Sequence, residues 1–126
     1  MMHTFIGEAE SVVKATVKAP LSRYLQTFIA QDEVLSEDQT GMDAGSISTR
    51  DRQELIDFAF ERYFHESGLL GTPDHCDRMV ARMQAAGVDD IACLVDFGVD
   101  HEAVRESLRH VSELCQRYAV KQAIGA

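Results

Sequence analysis

The chain has 126 residues, enough for one domain with a sizeable core but about half the length of a typical (β/α)8 barrel. Hydrophobic residues make up 45% of it, which excludes a disordered chain. The 21 acidic against 12 basic side chains leave a formal charge of −9, which excludes a phosphate-neutralising surface, so no nucleic acid or anionic membrane is expected as a partner.

Met2-His3-Thr4-Phe5-Ile6 combines β-branched and aromatic residues and stops at Gly7, which predicts a strand. Glu8 to Val17 reads as a helix, with acidic residues in its first turn, Lys14 and Lys18 at its end, and Val12, Val13 and Val17 on its apolar side. Pro20 predicts a break before a second helix, Leu21 to about Leu35, whose stripe is Leu21, Tyr24, Leu25, Phe28 and Ile29. From Ser36 to Ser48 the composition turns to Ser, Asp, Gly, Gln and Thr, which predicts a mobile loop. Its acidic residues lack the spacing of a calcium loop, so no metal site is expected there.

Ser48 or Thr49 caps the next helix, which runs from Gln53 to Ser67 and ends at Gly68. Its Leu55, Ile56, Phe58, Phe60, Tyr63 and Phe64 cover more than one face, which predicts burial on two sides or a partner surface. Leu69-Leu70 then leads into Gly71-Thr72-Pro73, where Thr72 is a good N-cap and a proline suits the first helical position. Cys76, Met79, Val80 and Met83 form the buried stripe of that helix, and Gly87 ends it. Ile91-Ala92-Cys93-Leu94-Val95 is too short for a helix and lacks polar alternation, so it reads as a strand covered on both faces, as in parallel sheets. Asp100 caps a last helix from His101 to about Tyr118 with the stripe Val104, Leu108, Val111, Cys115 and Tyr118, and residues 119–126 are expected to fray.

Cys76, Cys93 and Cys115 match no zinc or redox spacing and each lies at an apolar position, so all three are expected as buried free thiols. No apolar run is long enough to span a bilayer, and no basic segment followed by an apolar core opens the chain. The expected location is cytoplasmic. The glycines sit at element ends and form neither a Rossmann nor a P-loop signature, and His75, His101 and His110 stand outside any metal-ligand spacing. Asp96, at the carboxyl end of the second strand beside Phe97, holds the position where α/β proteins keep functional groups, although an Asp before a turn is also an ordinary cap residue. His3 and Thr4 hold a similar place near the end of the first strand.

Several of these strings together resemble a known family. Gly71-Thr72-Pro73 with its helix, followed by Ala85-Ala86-Gly87-Val88-Asp89-Asp90-Ile91, looks like the C-terminal region of flavin-dependent luciferase-like monooxygenases, barrels whose last strand follows such a helix. In the subgroup associated with non-ribosomal peptide and polyketide synthase clusters, Met2-His3-Thr4-Phe5-Ile6-Gly7 resembles the seventh strand, and Ala19-Pro20-Leu21 with Tyr24-Leu25 the helix after it. Asp57-Phe58-Ala59-Phe60-Glu61-Arg62-Tyr63-Phe64 is similar to the aromatic helix, and Ile91 through Asp100 to the eighth strand and its turn.

The resemblance covers nearly the whole chain and implies one domain, residues 1–126, equivalent to the last quarter to third of such a barrel. Strands one to six, which carry most of the flavin site, have no counterpart, so no catalytic or FMN-binding residue is carried over. His3, Thr4, Asp96 and Phe97 are the positions that would face the pocket of a completed barrel. FMN is implied by the resemblance alone.

The resulting expectation is a mostly helical α/β fold: a partial (β/α) barrel segment with two parallel strands in a βαβ arrangement, completed by oligomerisation. In function it is the C-terminal part or split subunit of an FMN-dependent luciferase-like monooxygenase of secondary metabolism, not catalytic alone, whose partner is another copy or a complementary barrel subunit. The alternatives are a non-catalytic, self-associating barrel remnant, or a small-molecule-binding protein with an apolar cavity under its helices.

Overall fold

Every residue from Met2 to Ile6 is buried, and a strand with no exposed residue needs neighbours on both edges and a layer over each face. The computed structural model describes residues 1–40 and 48–124. In it β1 (Met2–Ile6) is the middle strand of a three-stranded parallel sheet, flanked by β2 (Leu69–Gly71) and β3 (Cys93–Leu94). Thr4 lies opposite Leu69 on one side, and His3 lies opposite Leu94 on the other. The connecting helices are α1 (Glu10–Thr40), α2 (Thr49–Glu66), α3 (Pro73–Ala85) and α4 (His101–Ile124). Among the described residues, no helix is long and apolar enough to cross a membrane.

Side chains alternate across a strand, and β1 feeds two separate cores. Phe5 joins Val13, Val17 and Leu21 of α1 and Phe60 and Phe64 of α2. Met2 and Ile6 join Leu69, Cys76 and Met79 of α3, and Leu114 of α4. The result is an α/β arrangement of three layers, with α1 and α2 over one face and α3 and α4 over the other. The step from β1 to β2 and the step back across β1 to β3 reverse both direction and face, so the two crossovers have the same hand.

The sheet corrects two expectations. It has three strands, because Leu69-Leu70-Gly71, read as a lead-in, is a fully buried strand. The expected strand over 91–95 pairs only at Cys93–Leu94, on the edge of the sheet, with Cys93 exposed and Leu94 half-buried. Its apolar run lacks a further strand to cover it, and β1 takes the central place. The strand order β2-β1-β3 separates two strands that follow each other in the chain. In a (β/α)8 barrel consecutive strands are neighbours and all helices lie outside, so this chain by itself forms an open sheet covered on both faces.

Helix α1 continues through Pro20, where a break was expected. Proline removes one backbone hydrogen bond, but Val13, Val17 and Leu21 fall at every fourth residue and are buried almost completely on either side of it. That continuous stripe outweighs one missing bond. The helix also takes in residues 36–40 of the expected loop; residues 41–47 lie outside the described residues.

The caps of α2 and α3 are as expected: the Asp51 N–H donates to the Ser48 hydroxyl (3.1 Å) and the His75 N–H to the Thr72 hydroxyl (3.3 Å). Helix α4 starts at His101, with the Asp100 carboxylate accepting from the Glu102 N–H. It does not end near Tyr118 but runs to Ile124, so most of the expected tail is helical, and residues 125–126 lie outside the described residues. Its inward face is also rotated from the expected stripe. Leu108 and Cys115 are exposed, and Ser107 and Leu114 are buried in their place.

A hydrogen bond explains the rotation. The N–H groups of Met2, Thr4 and Ile6 point toward β3, where Met2 donates to the Ala92 carbonyl (2.8 Å), but β3 stops at Leu94. Ile6 donates instead to the Ser107 hydroxyl at 2.9 Å. A buried N–H must find an acceptor, and here it draws the Ser107 face of α4 onto the sheet.

Candidate functional site

The four positions singled out in the sequence divide between the two faces. His3 lies on the α1/α2 side and Thr4 on the α3/α4 side, both buried. Neither is at the carboxyl end of β1, which continues to Ile6. Asp96 is exposed in the loop after β3, and Phe97 is half-buried. The structure therefore brings together His3 and Phe97, whose rings meet edge to face at 5.0 Å. Thr4 faces away from them, and its hydroxyl donates to the Met2 carbonyl at 3.0 Å.

His3 is the centre of a ring cluster that the sequence did not announce. Tyr24 of α1 stands 4.4 Å from it and Tyr63 of α2 stands 5.5 Å from it, both edge on. His3 Nδ1 shares a 2.7 Å hydrogen bond with the Tyr63 hydroxyl, while Nε2 is buried with no partner. Burial holds the His3 imidazole below its usual range. Burial, aided by Tyr24, pushes the Tyr63 phenol up. Both members of the pair are thereby kept neutral, and His3 is only 2% exposed. The cluster ties α1, α2 and the loop after β3 to the central strand. Tyr24 was legible only as part of an apolar stripe and Tyr63 only as one of several aromatics.

The opposite face holds a cavity of about 390 Å3 between α3, α4 and the sheet. Ile6, Leu69 and Leu114 form its buried floor, and exposed Asp89 and Asp90 stand at its rim. Cys93 and Cys115 also line it, which corrects the expectation of three buried thiols: only Cys76 is buried, its thiol pushed up to about 12 by burial and, less, by Cys93. A second hollow of about 440 Å3 lies between α1 and α2, lined in part by Arg23 and Arg52, and includes none of His3, Thr4, Asp96 or Phe97.

Among the described residues no group of three or more His, Cys, Asp or Glu is placed to hold a metal ion. Among the described residues no Lys or Arg lines the α3/α4 cavity, so a phosphate there would face Asp89 and Asp90, whereas the α1/α2 hollow carries Arg23 and Arg52. No family model and no curated protein sequence matches the chain.

Proposed function

We propose that the chain is the C-terminal part or a split subunit of an FMN-dependent luciferase-like monooxygenase of secondary metabolism, without catalytic activity of its own. One observation carries this reading. The two segments that resemble the last strands of that barrel, Met2–Ile6 and the stretch around Cys93–Leu94, are hydrogen-bonded parallel neighbours. Among the described residues the outer edges of β2 and β3 pair with no further strand, and an open edge is where a partner adds strands.

Completion of a barrel by another copy or by a complementary subunit has a structural requirement. A barrel carries its helices on one side only, so one of the two helical layers must leave the sheet. The test is to mix the purified chain with a polypeptide that carries the earlier strands. Expected are a stable complex, visible flavin absorption in the complex but not in the free chain, and new amide exchange in one helical layer. Absence of a complex and of flavin with every polypeptide encoded beside this chain refutes the reading.

A second reading, a non-catalytic module that self-associates, is favoured by Leu55 and Phe58. They lie three residues apart on α2 and are 44% and 66% exposed. Sedimentation that shows a dimer dispersed by Phe58→Ser supports it, and a monomer at all concentrations removes it.

A further inference from the structure

The cavity under α3 and α4 has a chemistry of its own. At about 390 Å3 it falls within the range of small-molecule sites, whereas voids in packed cores seldom exceed a water molecule. Its floor is mostly hydrocarbon: Ile6 from the central strand, Leu69 from β2 and Leu114 from α4, each at most 9% exposed, with the buried Thr4 beside them. Its rim is acidic: Asp89 and Asp90 belong to the loop between α3 and β3, and both are exposed. Among the described residues no Lys or Arg lines it. Thr4, Gln84 and Tyr118 add neutral polar groups, so the charges that the described lining offers an entering molecule are the two carboxylates; they disfavour an anion, and a neutral hydrocarbon would leave them unused.

We propose that this cavity binds a compact hydrophobic cation, an aryl-alkyl amine in its ammonium form, with its hydrocarbon on the Ile6–Leu69–Leu114 floor and its nitrogen at Asp89 and Asp90. The site needs no second chain and does not depend on the flavin reading. The floor supplies the affinity through buried apolar area. The rim supplies the sign preference, weakened by salt because the carboxylates are exposed.

The test titrates the full chain with 2-naphthylmethylammonium and with the matched anion 2-naphthoate, following probe fluorescence. The cation is expected to bind one per chain, about tenfold tighter than the anion at low salt, as follows from two exposed charge contacts. Asp89→Asn with Asp90→Asn should bring the two probes to within about threefold of each other. Because both aspartates lie outside the core, this variant tests the site without risk to the fold. The bound cation should also slow alkylation of Cys93 and Cys115, which line the same cavity. Equal affinity for the two probes, an unchanged preference in the double variant, or alkylation rates indifferent to the cation would each overturn the proposal. A dimer that excludes the probe would overturn it too, since a second copy would then be the occupant.

Discussion

Replacing His3 by Gln tests whether the buried imidazole sets the acid sensitivity of the fold. In the unfolded chain a histidine titrates near 6.5, but burial holds His3 below that value. As the pH falls through 6.5 the unfolded state takes a proton that the folded state refuses, so stability declines and continues to decline until the pH reaches the folded value. For one histidine the slope is at most about 1.4 kcal/mol per pH unit. The imidazolium carries an N–H at both ring nitrogens, and Nε2 is buried with no partner to accept from it.

Gln keeps a polar group within reach of Tyr63 but loses ring contacts with Tyr24, Tyr63 and Phe97. At about 0.5 kcal/mol or somewhat more for each, His3→Gln should cost about 1–3 kcal/mol at pH 8. Between pH 6.5 and 5 the gap to the parent should narrow, because the variant no longer carries this proton penalty. Urea unfolding followed by circular dichroism at half-unit pH steps gives both quantities. His75, also lowered by burial first and by Arg78 second, leaves a residual slope that His75→Gln should reduce separately. Parallel stability curves for His3→Gln and the parent across this range would refute the reasoning.

Ser107→Ala removes the acceptor of the buried Ile6 N–H and should destabilise by about 1–3 kcal/mol, while Ser107→Thr retains most of the stability; urea midpoints decide this. Gly87 and Gly98 both have positive φ, at 91° and 102°, but an added Cβ meets open space at Gly87 and stands 3.2 Å from the Pro20 side chain at Gly98. Gly87→Ala should therefore cost about 1 kcal/mol and Gly98→Ala more, and equal losses would show that Pro20 gives way freely. Under native conditions two thiols should alkylate readily, Cys93 and Cys115, with Cys76 reacting only after unfolding; peptide mass spectrometry assigns them.

The residues of this chain determined the starts of α2, α3 and α4 and the end of α3 by themselves, because caps and turn glycines act over a few positions. Ser48, Thr72, Gly87 and Asp100 behave as their types dictate. The strand character of Met2–Ile6 and the α/β class were legible for the same reason. Of the candidate positions, the meeting of His3 with Phe97 followed from two strands lying side by side.

What only the tertiary structure decided rests on partners far apart in the chain. The Tyr63 hydroxyl reaches His3 across 60 positions, and the Ser107 hydroxyl reaches Ile6 across 101. No local pattern encodes such pairings. The same holds for strand order. A run such as Ile91-Ala92-Cys93-Leu94-Val95 reports that it is apolar but not whether a neighbour will cover it, and β1, paired on both edges, took the centre that this run appeared to claim. Pro20 belongs with these cases, since its penalty is local and fixed while the burial of Val13, Val17 and Leu21 that overrides it exists only once the sheet and α2 are in place.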